Sequence, residues 1–289
     1  MNRLVDRVVR RIEDRSESRP SPRGAAPAAA GWSPRPYCRP VRSLVIPLAL
    51  LLLTAPPSGH ATGQQRGHLV VVPVTPLAGP ARCGSAPTYA GPEWRLLLEA
   101  RMRGGEEAKQ TLSELVASLT ARAAADPRSV DTQFVLAAAL GAQADVEGGR
   151  SKIRAAGALH QQLGVVLALD PGHAGAQHLL GRLHAAVRRM DSVTRWVATR
   201  LLGGGAFADA SWAEARALLE AAVLADPCVP DHHYELARLY VERGQPAAAL
   251  DRLDQLLSLP DDDPVYGHVF DRGRVLLRAL EERRGRDGR

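Results

Sequence analysis

Residues 230–260 read PDHHYELARLYVERGQPAAALDRLDQLLSLP. Leu236, Ala237 and Tyr240 share one side of a helix, and Ala249, Leu253 and Leu256 share one side of a second. In each helix a small residue sits among large ones. The small residues let two helices approach, and the large ones fill the space beside them. Pro230 suits a first helical turn. A helix seldom runs past the residue before a proline, so Leu259-Pro260 marks a stop. This stretch therefore reads as a helix-turn-helix unit of about 30 residues.

Upstream, the same punctuation recurs. Asp126-Pro127, Asp170-Pro171 and Asp226-Pro227 each follow an Ala/Leu-rich helix: 123–125, 166–169 and 223–225. The last interval between prolines is close to the roughly 34-residue period of a tetratricopeptide repeat, and the two earlier ones run longer. The excess lies between paired helices. Leu180, Gly181 and His184 fit a first helix, and Ala215, Leu219 and Ala222 fit its partner after an insertion of about 22 residues. Leu136, Ala137 and Leu140 pair with Leu159, Leu163 and Val166 after an insertion of about ten. The fold class expected is all-α: a tetratricopeptide-like solenoid with insertions in two repeats, preceded by a leader and linker.

Local signals agree. Ser211-Trp212-Ala213-Glu214 is a capping box, and Asp263 before Pro264 is a natural N-cap. Val193, Trp196, Val197 and Leu201 recur at helical spacing within the longer insertion, and Gly203-Gly204-Gly205 stops that helix. A final helix is expected from Pro264 to about Arg284, with Val265, Val269, Leu276, Leu277 and Leu280 inward. Its charged outer side fits the cap that a solenoid needs.

Several stretches resemble one branch of the tetratricopeptide proteins. These are His178-Leu179-Leu180-Gly181-Arg182-Leu183-His184, Arg195-Trp196, Gly203-Gly204-Gly205 and Ala210-Ser211-Trp212-Ala213-Glu214-Ala215. Glu147-Gly148-Gly149-Arg150, Asp226-Pro227 and Tyr234-Glu235-Leu236-Ala237-Arg238 look like it too. The branch is the regulator of microtubule dynamics family and its bacterial relatives, and the resemblance covers roughly 110–282. Leu183 stands where members often carry Trp. The resemblance implies an all-α repeat scaffold without catalytic activity. The microtubule role belongs to eukaryotic members, and this chain is not expected to inherit it.

Charge and composition narrow the function. The formal net charge of +6 invites a nucleic-acid reading. Residues 1–42, however, hold ten Arg and four acids, which is the whole excess. The remainder is neutral, so no basic footprint lies on the folded part. The aromatic content of 4% leaves Ala, Leu and Val to build the core. Arg39 and Arg42 precede an uncharged apolar run from Ser43 to Ala55, followed by Gly59-His60-Ala61. That order is a secretory signal peptide over about 43–61, with Ala61 as the cleavage point. The run is short for a span of roughly 20 residues, and Pro47 interrupts it. The expected location is secreted or periplasmic, and the alternative is an anchor in the inner membrane. The long stretch before the apolar run also admits a true start downstream of Met1. The organisation expected is leader and signal peptide 1–61, Pro/Gly-rich linker 62–92, repeat 93–284 and tail 285–289. His68-Leu69-Val70-Val71-Val72 in the linker could form a short extended piece. Cys83 and Cys228 of the mature chain either pair or stay free thiols.

Chemical motifs are sparse. His178 and His184 are six residues apart, not the three or four of one helix face. His232 and His233 are adjacent and point in different directions. Histidines are read as solvated or groove-lining, and no metal or cofactor is expected. Asp261-Asp262-Asp263 lacks the Gly and Glu of a calcium loop. Gly203-Gly204-Gly205 is not a phosphate cradle, and no GxSxG occurs. No catalytic residue is assigned.

A binding reading remains. In tetratricopeptide proteins positions two, five and nine of the first helices line the groove. Position five gives Phe134, His178 and Tyr234; position nine gives Ala138, Arg182 and Arg238; position two gives Asp131, Gly175 and Asp231. Phe134, His178, Arg182, Tyr234 and Arg238 form the expected peptide-binding groove, suited to an extended segment with a carboxylate. The bland alternative is that both Arg only pair with nearby acids such as Glu235. The expected partner is a protein or peptide, with no nucleic acid and no membrane beyond an uncleaved signal segment. The rival readings are an envelope-assembly subunit using its convex face, and a helical enzyme with an unrecognised site.

Overall fold

The structure, a computed structural model, describes residues 83, 91–192, 195, 199, 208–263 and 265–287. The leader, the apolar run, the extended piece at 68–72 and the glycine run at 203–205 lie outside the described residues. So do Val193, Trp196, Val197 and Leu201 of the inserted helix.

Nine α-helices occur among the described residues: α1 Pro92–Arg103, α2 Gly105–Ala125, α3 Val130–Val146, α4 Gly149–Leu169, α5 Ala174–Arg189, α6 Trp212–Ala225, α7 Pro230–Glu242, α8 Pro246–Leu257 and α9 Gly267–Asp287. The repeat frame is realised as the hairpins α3/α4, α5/α6 and α7/α8. α1/α2 forms a further pair before them, and α9 packs on α8 and α7. The ten-residue insertion is absorbed by lengthening α4 to 21 residues.

Each Asp-Pro ends a helix as expected. α2, α4 and α6 are C-capped by Asp126, Asp170 and Asp226. The Asp side chains also build the turns: Asp170 Oδ1 accepts from the Gly172 amide at 3.0 Å, and Asp226 Oδ1 from the Cys228 amide at 3.3 Å. Helix starts are capped by Ser129, His173 and Ser211, which accept from the amides of Thr132, Ala176 and Glu214. Between α1 and α2, Gly104 and Gly105 have φ of 65° and 72°. That left-handed pair lets the chain break between two helices with no intervening loop.

The large and small positions pack as their spacing demands. Ala137, Leu163, Val166, Ala215, Ala222, Ala237, Ala249, Leu253 and Leu256 are fully buried. At Gly181 the approach is closest: a Cβ there would sit 2.8 Å from Leu219 Cγ and 3.1 Å from the Ala215 carbonyl oxygen. Only a residue without a Cβ allows α5 and α6 to meet at this distance. Tyr240 is partly exposed, and its hydroxyl donates to Glu220 Oε1 at 2.7 Å.

The last helix departs from its expected bounds. α9 begins at Gly267, not Pro264, and continues to Asp287, past Arg284. Asp263 accepts from the Val265 amide at 2.9 Å, and its carbonyl accepts from Tyr266. It therefore closes a turn ahead of the helix. Val269, Leu276 and Leu280 are buried as expected, joined by Phe270 and Tyr266. Cys83 and Cys228 are disulfide-bonded, with Cα atoms 5.3 Å apart across 145 residues of sequence. Cross-linking so long a loop stabilises a fold by about 5 kcal/mol in the loop-entropy account.

Candidate functional site

A cavity of about 110 Å³ opens on the face formed by the first helices α1, α3, α5 and α7. The helical repeat explains how one face collects its lining. Phe134, Ala138, Gly141 and Asp145 succeed each other at steps of three and four along α3, as do Gly175, His178 and Arg182 along α5. α1 contributes Trp94, Leu97, Leu98 and Arg101. Val229, Asp231 and His232 come from the start of α7, and Val265 and Tyr266 from the turn before α9. The walls are mainly apolar. Trp94 and Phe134 lie with ring centres 5.7 Å apart, and Phe134 meets His173 at 4.3 Å.

Charged residues cross this face as an alternating chain. Arg101 meets Asp145 at 3.8 Å, Asp145 meets Arg182 at 3.6 Å, and Arg182 meets Glu235 at 3.7 Å. Glu235 also pairs with Arg238 at 3.4 Å, and Glu242 with Arg238 at 3.4 Å and Arg189 at 2.9 Å. The chain links α1, α3, α5 and α7. Burial alone would raise the Glu235 pKa. The guanidiniums of Arg238, Arg182 and Arg189 outweigh it and hold the carboxyl well below the usual range. Burial likewise opposes the Arg182 charge, but Asp145, Glu235 and Asp231 raise its pKa overall.

Four histidines among the described residues are not solvated, whereas His268 is exposed. His178, His184, His232 and His233 are all buried. His232 donates to the Asp226 carbonyl at 3.1 Å and His233 to the Pro227 carbonyl at 2.8 Å. Both rings thus return to the same turn and satisfy carbonyls that the end of α6 leaves without a helical partner. Of the expected solvated or groove-lining histidines, His178 and His232 line the cavity, and the solvated reading is corrected for the buried rings, where for His232 and His233 those carbonyls supply the hydrogen bonds that make burial tolerable. The His178 ring lies 4.9 Å from that of His232, and its buried Nδ1 has no hydrogen-bond partner among the described residues. Burial, reinforced by His232 and Arg182, pushes the His178 pKa well down. Burial and His160 bring His184 to about 4.

Of the five residues expected in the groove, Phe134, His178 and Arg182 line the cavity. Tyr234 and Arg238 are not among its lining residues. Tyr234 is buried in a cluster with Val269 and Phe270 of α9, and the Arg272 guanidinium lies 4.6 Å over its ring. Arg238 is buried between Glu235 and Glu242. α9 packs on α7 and covers Tyr234 at position five, whereas Asp231 at position two of α7 still lines the cavity. The α1 contribution was not legible, because α1 carries none of the repeat's spacing. Asp145 was missed for the same kind of reason: it lies beyond position nine, and only the fold brings it to Arg182.

Among the described residues, no group of three or more His, Cys, Asp or Glu is placed to hold a metal ion. No helix there is long and apolar enough to cross a membrane. No curated protein matches the chain. Among solved structures, one described as "MamA RS-1 ArsTM double mutant" matches with 16% identity and a TM-score of 0.37, over 66% of this chain and 98% of the other. Residues 97–281, well over half of the sequence, match the family described as Regulator of microtubule dynamics protein 1-3, and the chain belongs to that family.

Proposed function

We propose that this protein is an exported, non-enzymatic scaffold that binds a segment of another protein on the face lined by its first helices. The observation that carries the reading is the cavity itself. Four successive first helices converge on it, with apolar walls and a charged edge. Stacked helical pairs present such a surface generally, since each pair buries one side against its neighbours and leaves the first helices available. The charged groups there are engaged with one another in ion pairs, which suits positioning a ligand better than moving protons.

Export has separate support. Residues 43–61 have the order of a signal peptide, and the Cys83–Cys228 bond is of a kind that persists in oxidising compartments. N-terminal sequencing of exported protein should give Thr62 as the first residue. A full-length cytoplasmic product would remove this part of the proposal.

One observation favours the opposite face. Val165, Leu169 and Leu224 of α4 and α6 are exposed apolar residues. A photocrosslinking residue at Ala138 on the cavity, compared with one at Val165, separates the two. Partner adducts from position 138 and none from 165 uphold the groove reading; the reverse pattern assigns binding to the second helices.

A further inference from the structure

We propose that the cavity is a binding site for a single carboxylate carried on a small apolar body, with the carboxylate between Arg101 and Arg182. The inference stands on the cavity itself, independently of the protein-binding reading. Among the described residues these two guanidiniums form three ion pairs with acids, at 3.6 to 3.8 Å, each longer than a hydrogen bond, and Asp231 on the cavity wall adds its charge near Arg182 without an ion pair. A guanidinium has five N–H donors in a fork that matches a carboxylate. Both guanidiniums line the cavity, and Asp145, on the same wall, lies between them.

The Asp145 side chain is 45% exposed and can turn out to water when another carboxylate takes its place. Glu235 does not compete for that place, because it is buried and also held by Arg238. Beyond the charged edge the walls are apolar. A dry apolar cavity of roughly 150 Å³ is large enough for benzene, so one of about 110 Å³ suits a body of leucine side-chain size. An apolar group bearing one carboxylate therefore meets both halves of the site at once. The same chemistry comes as a free branched acid or as the last residue of a protein chain, and the experiment separates these sources.

Calorimetric titration of the full chain with 4-methylpentanoate and its amide, and with acetyl-Gly-Gly-Leu as acid and as amide, tests the site. Each acid that enters the cavity should bind at least tenfold more tightly than its amide. Asp145→Asn should tighten acid binding several-fold by removing the internal competitor. Arg101→Gln should weaken it about tenfold. Neither substitution should affect the amides, and both positions are exposed enough to leave the melting temperature nearly unchanged. Binding of both acids, or of the free acid alone, assigns a small-molecule ligand; binding of the peptide acid alone assigns a protein C-terminus; all these outcomes uphold the carboxylate site. Equal binding of acids and amides, or no acid binding to either the unaltered chain or Asp145→Asn, overturns it.

Discussion

α5 and α7 hold the same repeat positions and use them in opposite ways. His178 and Arg182 on α5 edge a cavity, whereas of their counterparts on α7, Tyr234 is packed against α9 and Arg238 is buried between Glu235 and Glu242. Nothing local to either helix makes this difference. A repeat position fixes which way a side chain points, and the next element along the chain fixes whether anything can reach it. The final helix thus does two jobs: it packs on the end of the stack and covers position five of α7.

The largest effect is expected at Glu235, which pairs with Arg182 on α5 and with Arg238 on its own helix. Glu235→Gln should cost about 3 kcal/mol, because it takes from the buried Arg238 guanidinium one of its two carboxylates and leaves Glu242 alone to balance it. The loss should fall mainly on α7. Arg182 can turn to the cavity, whereas Arg238 has a 10% exposed side chain. Adding Arg238→Met to Glu235→Gln should therefore recover more stability in urea melts than adding Arg182→Met. Equal recovery would mean that the two arginines are alike after all.

A pH series sharpens the same contrast. Unfolded imidazoles take up protons near 6.5, whereas folded His184 does so near 4 because burial disfavours its charge. The unfolded chain then binds more protons across that window. The His184 contribution is fully present above pH 6.5, is lost as pH drops toward 4, and changes no further below. That loss amounts to up to about 3 kcal/mol. His184→Leu should flatten the curve between pH 6.5 and 4, and an unchanged slope would assign the acid sensitivity to the other buried imidazoles, His178, His232 and His233. The smallest effect is expected at position eight. Gly181→Ala should destabilise by about 1–2 kcal/mol through overpacking against Leu219. Ala237→Gly on α7, where a methyl is already accommodated, should cost about 1–2 kcal/mol through backbone entropy and the loss of a buried methyl.

Much of the fold was legible because it rests on short-range rules. Alternation of large and small residues predicted which side chains of α3 to α8 are buried, and Asp-Pro predicted where α2, α4 and α6 stop. The site was legible where it follows the same register, at Phe134, Ala138, Gly175, His178, Arg182 and Asp231. What escaped is what depends on neighbours distant in sequence: α1 closing the cavity, Asp145 reaching Arg182, α9 covering Tyr234, and the rings of His232 and His233 returning to the Asp226-Pro227 turn. The Cys83–Cys228 pairing belongs with these, since spacing carries no geometry.

That bond also sets how the chain bears tension. Cys83 lies upstream of α1, and Cys228 stands between α6 and α7. A pull applied upstream of Cys83 and at the C-terminus passes through sulfur directly from residue 83 to residue 228. The helices α1 to α6 lie off that load path and stay unloaded however hard the ends are drawn. Only α7, α8 and α9 stand in line to unravel, and reduction of the bond puts the whole stack in series.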